Sequence, residues 1–422
     1  MKKLELLAPA GNLLKMKTAF TYGADAVYLG LPDFSLRVRI NDFNLAGIKM
    51  AVKYAQAAKK KVYVTINIFA HNRHFKKLPA YLKQLRALKV DALIVSDPGV
   101  IAVVKKYWPA AEIHLSTQAN CTNSEAVKFW ARRGIKRIIL GREVTLKEIK
   151  EIHRAAPAVE LEYFVHGAMC MAYSGRCFLS KLFVDRSANL GDCAQPCRWK
   201  YDVNRYEIKA GGHEEILELV EEKHGAYLLN SRDLCLLKYL RELRAAGVTS
   251  FKIEGRAKSV YYQATITGIY RRALNLLAAP ISAARWQKET NLLYKELTDK
   301  VTHRGYTSGF LSGGRADQNI VNSHQASAWE FCGQVIKSGA AKAGVRRIYF
   351  TVHNTVKVGD SVEIIKPEYD IIKTKPRQLW DAKTGAKLLE AHGGGGRRQA
   401  ILEIPAAAGA VPIGTVLRRK IN

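Results

Sequence analysis

Long apolar runs are absent from the sequence. No stretch approaches the roughly 18 consecutive apolar residues that a membrane-spanning helix needs. Near Met1, two lysines are followed by Glu5, Pro9 and Gly11, which interrupt the apolar core that an export signal requires. We therefore expect no membrane insertion, and a mature cytoplasmic protein that begins at Met1 and keeps its seven cysteines reduced.

Acidic residues are scarce. The 37 Asp and Glu residues stand against 67 Lys and Arg residues, which gives a formal charge of +30. Such a surplus attracts polyanions, so nucleic acid is the natural partner, although a generally basic proteome or a need for solubility explains the same composition equally well. The hydrophobic share of 48% is that of a globular protein and excludes disorder as the default.

The common signatures of hydrolytic enzymes are also missing. There is no HExxH metal site and no nucleophile elbow, so neither a metal-bound water nor an activated serine is indicated. Two CxxC pairs, which a zinc ribbon would show, are absent as well. The sequence therefore offers no recognised peptidase machinery.

Eight apolar runs of strand length recur in the first 255 residues, and stretches with helical periodicity follow them. Eight parallel strands are the number that closes a TIM-like (β/α)8 barrel, so this α/β fold is predicted. The runs are Leu4–Leu7, Ala26–Leu29, Val62–Ile66, Ala92–Val95, Ile113–Leu115, Arg137–Leu140, Leu161–Val165 and Phe251–Ile253.

Two departures from a plain barrel are predicted. A long segment replaces the short helical return before the last strand, which indicates a cysteine-rich insertion at about 167–249. After about residue 325 the pattern changes to short β runs with turns. We assign 1–320 to the barrel domain and 325–422 to a small C-terminal β-barrel domain, which from Glu330 onward carries 16 Lys and Arg residues against 8 acidic residues.

Polar side chains follow the predicted strands where each of them ends. In a (β/α)8 barrel these ends converge on one mouth, which carries the chemistry. A single polar residue there is often only a cap or a turn, but a series of them favours a lined mouth. The segments include Ser116-Thr117-Gln118, Arg142-Glu143, His166-Gly167 and Glu254-Gly255-Arg256.

Five of the seven cysteines fall in one part of the chain, at Cys170, Cys177, Cys193, Cys197 and Cys235. They are separated by 6, 15, 3 and 37 residues, which suits a site assembled by a folded scaffold. Four thiolates bind a 4Fe-4S cluster because soft sulfur ligands satisfy iron in a tetrahedral site. The alternative is buried, unligated cysteines that pack as small hydrophobes, as we expect for Cys121 and Cys332.

The cysteine-rich stretch resembles a family signature. The run Glu162-x-Phe164-x-x-Gly167-Ala168-Met169-Cys170-x-x-x-x-Gly175-x-Cys177-x-Leu179-Ser180 is similar to that of peptidase family U32, the collagenase-like peptidases. Other segments fit the same family, among them Leu7-Ala8-Pro9-Ala10-Gly11, Cys193-Ala194-Gln195-Pro196-Cys197-Arg198, Asn230-Ser231-x-Asp233-Leu234-Cys235 and Lys252-x-Glu254-Gly255-Arg256.

The resemblance implies an activity that the family name does not state. Several bacterial members are oxygen-independent hydroxylases with a 4Fe-4S cluster, acting on tRNA wobble uridine, on ribosomal RNA cytidine or, as a paired complex, on a ubiquinone precursor. Prephenate is implicated as the source of the hydroxyl group. A basic single chain with a C-terminal β domain most resembles the members that form 5-hydroxyuridine in tRNA, so tRNA and prephenate are the expected partners, and a protein partner is an alternative.

Matching the family's cluster ligands to this chain gives two sets. The first, which we favour, is Cys170, Cys177, Cys193 and Cys235. The second contains Cys177, Cys193 and Cys197, so Cys197 is held in reserve.

Substrate-binding roles are assigned to Arg37, Gln118, Arg142 and Arg256, which lie in or beside the predicted mouth. An anionic co-substrate needs cationic groups, since guanidinium pairs with carboxylates bidentately. A structural ion pair explains each arginine equally well.

Catalytic roles are assigned to His166, Arg176 and Glu254. An imidazole moves protons near neutral pH, which makes His166 the candidate acid or base. Glu254 is alternatively the partner of an arginine.

Three functions stay open: an RNA hydroxylase, a peptidase, and a cluster-bearing partner subunit. The proximity of His166 and Cys170 in sequence imitates a peptidase's Cys–His pair, but a cluster ligand cannot also be a free thiolate nucleophile. A hydroxylase needs the cluster, a peptidase should survive iron chelation, and a partner subunit should be inactive until it is mixed with another chain. The positive charge favours the first.

Overall fold

The computed structural model describes residues 4–36, 42–170, 172–173, 176–199, 208–209, 216–217, 230–313, 317–319, 324–393 and 398–421. In chain order, the strands up to residue 253 are β1 (Glu5–Pro9), β2 (Ala26–Gly30), β3 (Lys61–Ile66), β4 (Ala92–Val95), β5 (Ile113–Leu115), β6 (Arg137–Ile139), β7 (Glu160–Ala168), β8 (Ile208–Lys209), β9 (Ile216–Leu217), β10 (Asp233–Cys235) and β11 (Val248–Ile253).

Strands β1 to β7 and β11 form a closed parallel barrel. Neighbouring strands pair in chain order, and β11 pairs with both β1 and β7, which closes the ring. Every residue of β2 is buried, as expected for a parallel strand that is covered on both faces. The predicted TIM-like barrel is confirmed, and each of the eight predicted runs overlaps a barrel strand.

Helices surround the barrel, and several begin at a side-chain cap. Asn12, Asn44, Asp97 and Asn123 each accept a hydrogen bond from a backbone N–H of the first helical turn. No helix in the described ranges combines the length and apolarity needed to cross a membrane. The helices are α1 (Leu13–Thr21), α2 (Leu45–Ala57), α3 (Asn72–Phe75), α4 (Leu78–Leu88), α5 (Pro98–Tyr107), α6 (Ser124–Arg132), α7 (Leu146–Ala155), α8 (Leu179–Val184), α9 (Leu240–Ala245), α10 (Val260–Ala278) and α11 (Ala283–Lys300).

The sheet continues past the barrel at the end of β7. Strand β10 pairs there in antiparallel orientation, with Cys235 opposite His166 and Asp233 opposite Ala168. Strand β12 (Tyr306–Thr307) pairs in turn with β10. Part of the chain between β7 and β11 therefore extends the mouth end of the barrel, whereas the bounds proposed above for the insertion and for both domains stay predictions.

The remaining strands form a separate antiparallel sheet with its own buried core. Its order is β17-β16-β22-β13-β14-β21-β18-β19, while β15 and β20 pair with each other. The strands are β13 (Trp329–Lys342), β14 (Val345–Val352), β15 (Val356–Lys357), β16 (Val362–Lys366), β17 (Asp370–Thr374), β18 (Leu379–Asp381), β19 (Lys387–Leu388), β20 (Glu390–Ala391), β21 (Gln399–Pro405) and β22 (Val416–Lys420).

Polar contacts attach this sheet to the barrel helices. The Tyr22 hydroxyl accepts the backbone N–H of Val416 at 2.9 Å. The Arg418 side chain is fully buried, and its guanidinium binds the carboxylates of Glu363 and Glu296. Because a buried charge is tolerated only when it is paired, this arginine holds the sheet and α11 in one arrangement.

Candidate active site

A cavity of about 320 Å³ opens where the barrel strands end. Its walls include Asn67 after β3, Gln118 after β5, Arg142 after β6 and Glu254 after β11. Residues of the described segment 176–199 line it as well. The mouth that the polar strand ends predicted is thus a concave site, at the position where barrel enzymes carry their chemistry.

Four cysteines line this cavity: Cys170, Cys177, Cys193 and Cys197. Cys170 is exposed and the other three are partly buried. The pKa of the Cys177 and Cys197 thiols is raised, first by burial and also by the neighbouring thiols of this group. Several thiolates therefore disfavour one another here unless a cation offsets their charge.

Local hydrogen bonds fix the segment that carries the thiols. The backbone N–H of Cys177 donates to Asn189 Oδ1 at 3.2 Å, and that of Gln195 donates to the Cys193 sulfur at 3.3 Å. The buried Ser180 hydroxyl accepts the N–H of Ala194 at 2.9 Å. The contact of Ser180 explains why a serine accompanies the cysteines in the signature.

Cys235, one of the four ligands favoured from the sequence, lies elsewhere. It is buried on β10, and its sulfur is 3.7 Å from the Tyr270 hydroxyl. Burial raises the pKa of its thiol to about 11. The structure places Cys197, the reserve residue, with Cys170, Cys177 and Cys193 instead.

Among the described residues, no group of three or more His, Cys, Asp or Glu side chains is arranged to hold a single metal ion. A 4Fe-4S cluster makes a different demand, because each thiolate binds a different iron and the sulfur atoms stand further apart than around one ion. The four cavity thiols supply the soft donors that such a cluster takes.

Arg142 and Gln118 present unsatisfied polar atoms in the cavity wall. The Arg142 guanidinium carbon lies 3.8 Å from the centre of the Phe164 ring, and one nitrogen is 3.9 Å from a Glu254 oxygen. Buried Arg142 Nε and Gln118 Oε1 find no hydrogen-bond partner within the ranges that the structure covers. Because such atoms are costly to leave unpaired, they point to a bound ligand.

Arg256 and Glu254 also line the cavity. Arg256 donates to the Ser35 hydroxyl at 2.7 Å and to the carbonyl of Leu36, and Glu254 lies 3.4 Å from the Tyr28 hydroxyl. Arg37, which follows Leu36 in the chain, lies outside the described residues.

His166 lies behind the cavity wall. Its side chain is buried among Tyr262, Tyr270 and Tyr306, with Nδ1 3.3 Å from the Tyr270 hydroxyl. Burial lowers the pKa of its imidazole to about 3, so the ring is neutral at physiological pH. This position gives no direct access to a substrate in the cavity, in contrast to the proton-transfer role expected from the sequence.

Arg176 is exposed at the rim. It donates to the carbonyl of Gln118 at 3.2 Å, and its guanidinium lies 5.7 Å from the centre of the Phe69 ring. Arg176 therefore links the segment 176–199 to the end of β5.

Lys252 is a cavity residue that the sequence reasoning did not select. Its ammonium is 2.7 Å from Glu162 and lies over the rings of Tyr28 and Phe164, at 4.6 and 5.3 Å. Burial lowers its pKa, and Glu162 opposes that shift. The available signal was a lysine inside an otherwise apolar strand run, Phe251 to Ile253.

Residues 11–321 match peptidase family U32. The tRNA hydroxylation protein P of Escherichia coli (strain K12) is 40% identical over 413 residues, which cover 88% of each chain. A 23S rRNA 5-hydroxycytidine synthase of the same organism is 35% identical over 76% of this chain and 47% of that protein.

A protein named collagenase, from Porphyromonas gingivalis (strain ATCC BAA-308 / W83), is 30% identical over 389 residues, which cover 89% of each chain. The chain belongs to peptidase family U32.

Proposed function

We propose that this protein is an RNA-modifying hydroxylase that converts a wobble uridine of tRNA to 5-hydroxyuridine in the cytoplasm, with a 4Fe-4S cluster as cofactor and prephenate as co-substrate. The observation that carries the proposal is one cavity that combines four thiols with cationic and unsatisfied polar side chains at the barrel mouth. The tRNA hydroxylation proteins among the relatives support the choice of substrate.

The thiols of Cys170, Cys177, Cys193 and Cys197 would hold the cluster. All four line the same cavity, and a cationic cluster would offset the repulsion between their thiolates. When bound, a 4Fe-4S cluster supplies electron transfer or an iron that can bind substrate. The hydrogen bonds within the segment 176–199 would keep the thiols of Cys177 and Cys193 in position for it.

Cationic side chains of the cavity would bind the dicarboxylate prephenate. Arg142 and Lys252 both lie over the Phe164 ring, and Lys252 and Arg256 both lie over the Tyr28 ring. Arg142 Nε and Gln118 Oε1 remain to be satisfied within the described structure. A guanidinium binds a carboxylate in a planar, two-bond arrangement, while the amide oxygen of Gln118 accepts a hydrogen bond from a base or a hydroxyl group. These residues therefore orient the ligands.

The peptidase alternative is disfavoured by the environments of the candidate Cys–His pairs. A nucleophilic cysteine needs a lowered thiol pKa beside a charged imidazole. Cys235 and His166, which both lie beside Tyr270, have the opposite properties. Burial raises the pKa of the Cys235 thiol and lowers the pKa of the His166 imidazole. Cys170 lines the cavity, whereas the ring of His166 lies outside it.

The test is complementation in a bacterium that has lost its own tRNA hydroxylation, with mass spectrometry of tRNA nucleosides. We expect the wild-type chain to restore 5-hydroxyuridine, and Arg142→Met, which keeps contact with Phe164 but removes the cation, to abolish it. In parallel, the chain is purified without oxygen and its iron and sulfide are quantified.

Matched cysteine variants assign the ligands. We expect about four irons per chain in the wild type, the count of one 4Fe-4S cluster, with loss in Cys197→Ser and retention in Cys235→Ser. The reverse result would restore the set with Cys235. An iron-free wild-type chain that restores no 5-hydroxyuridine, or restores it only with a second protein, contradicts the proposal in favour of a peptidase or a partner subunit.

A further inference from the structure

The C-terminal sheet carries a transverse row of five residues, one from each of five neighbouring strands. Strand pairing sets Lys337 opposite Tyr349, Tyr349 opposite Ile401, Ile401 opposite Trp380, and Trp380 opposite Lys387. The row thus crosses β13, β14, β21, β18 and β19 and reads cation, ring, aliphatic residue, ring, cation. We call it the sheet row.

The sheet row lies on the face opposite the domain core. Ile348 and Phe350, which flank Tyr349, are buried in that core, and side chains alternate between the faces of a strand. Lys337 and Lys387 are exposed, and Tyr349 and Trp380 are partly exposed. Ile401 is 7% exposed because the two neighbouring rings flank it.

A cationic side chain lies beside each of the two rings. The Lys337 ammonium lies 5.2 Å from the centre of the Tyr349 ring, and the Arg347 guanidinium lies 5.0 Å from that of Trp380. Arg347 also pairs with Glu403 at 3.0 Å, so the acidic group beside the row is already neutralised. From Glu330 onward, basic residues outnumber acidic ones 16 to 8.

We propose that the sheet row is a docking surface for a single-stranded part of the RNA substrate, with bases against Trp380 and Tyr349 and phosphates near Lys337 and Lys387. This inference rests on the proposed function, since it names a second contact for the same RNA. The two rings are two strands apart, about 9.5 Å by the usual strand spacing, which separates two base-stacking positions. Stacking needs no particular base, and flanking cations bind the backbone.

The occupant follows from the charge. A protein partner with an apolar surface would desolvate the exposed ammonium groups at both ends of the row, at a cost that nothing in the row offsets. A polyanion instead gains from both of them. The alternation of rings and cations is the composition of surfaces that bind single strands.

The experiment is binding of fluorescently labelled, unmodified tRNA to the full chain, measured by anisotropy over a series of salt concentrations. We expect Trp380→Ala to weaken binding about 5-fold or more and Trp380→Phe to restore most of it, because a ring is what stacks. The double change Lys337→Gln and Lys387→Gln should lower the slope of log affinity against log salt by about 1.4.

A matched control removes the same charge at the other end of the sheet. Lys373→Gln with Lys375→Gln, on and just after β17, should leave both affinity and slope near the wild-type values. If affinity and salt slope fall equally in this control, tRNA binds through general electrostatic attraction and the proposed role of the sheet row is wrong. Unchanged RNA binding in Trp380→Ala together with a changed molecular mass by light scattering would show that the row contacts a second copy of the chain instead.

The same measurements separate this inference from the proposed function. A wild-type chain that binds no tRNA overturns both. A wild-type chain that binds tRNA and restores 5-hydroxyuridine, while the row variants bind as the wild type does, overturns the sheet row alone.

Discussion

Two arginines mark the two ends of the same barrel strand. Arg137 begins β6, and its guanidinium donates to Glu160 at 2.8 Å, to Glu162 at 3.3 Å and also to Glu5. Arg142 follows β6 at the mouth, where the nearest carboxylate oxygen is 3.9 Å away and Nε finds no partner among the described residues.

The difference separates stability from binding. At the closed end of the barrel, a buried guanidinium is surrounded by three carboxylates, so its removal would leave more buried negative charge than Lys252, the other cation on Glu162, can offset. At the mouth, hydrogen-bonding capacity is left over, which is the property of a site that expects a ligand.

Arg137→Met should have the largest effect on stability. It leaves the fully buried Glu162 and the nearby Glu5 without their shared cation, and we expect a loss of about 3–5 kcal/mol in the free energy of unfolding. Urea denaturation followed by circular dichroism measures it. A loss below about 1 kcal/mol would show that the closed end is not the stabilising one.

Lys252→Met tests the residue that joins both ends, because its ammonium binds Glu162 and also borders the cavity. Glu162 keeps Arg137, so we expect a smaller loss of about 1–3 kcal/mol, together with lost 5-hydroxyuridine formation. The double variant with Glu162→Gln should lose less than the sum of the two single changes, because the residues are in contact. If the two losses of unfolding free energy simply add, Lys252 and Glu162 are not energetically coupled.

Acidification should lower the free energy of unfolding through His166. A group whose folded pKa lies below its unfolded value stabilises the protein above the unfolded pKa, and loses that contribution as pH falls. With a folded pKa of about 3 against the usual 6.5, His166 should contribute a slope of up to about 1.4 kcal/mol per pH unit below pH 6.5.

Urea midpoints at pH 7.0 and 5.5 measure this slope. His166→Asn should flatten the decline, whereas His392→Gln, at an exposed position, should leave it unchanged. Identical declines in wild type and His166→Asn would place the acid-sensitive group elsewhere.

Arg142→Met should have the smallest effect on stability, at most about 1 kcal/mol, because the methionine preserves contact with Phe164 and a single weak ion pair is lost. The same variant should abolish 5-hydroxyuridine formation. Matched urea curves beside Arg137→Met provide the comparison. A large destabilisation with retained activity would reverse the assignment of the two ends.

The sequence predicted the barrel because its strands are buried on both faces and therefore read as apolar runs. Strand β10 escaped prediction, because Asp233-Leu234-Cys235 contains a single aliphatic residue and does not form an apolar run. The short β runs of the C-terminal sheet, after about residue 325, were also visible. Its strand order was not, because β22 pairs with β13 across a long chain separation.

The sequence predicted which residues form much of the site, but not how they are arranged. Strand ends pointed to Gln118, Arg142, Glu254 and Arg256, all of which line the cavity. Chain spacing could not tell which cysteines meet, because a fold decides whether Cys235 or Cys197 approaches the others.

The sheet row was equally invisible in the sequence. A register shift between Val335 and Lys337 breaks the alternation along β13, and it is this shift that sets Lys337 opposite Tyr349. The other members of the row come from strands that are distant in sequence.

The position of β22 has a consequence for synthesis of the protein. Residues Val416–Lys420 lie between β16 and β13, near the centre of the C-terminal sheet rather than at its edge. The barrel has all its strands once Ile253 has been made, but the β16–β17 hairpin gains its connection to β13 only when this late segment emerges from the ribosome. A chain cut before Val416 would therefore expose two facing strand edges, which are templates for aggregation.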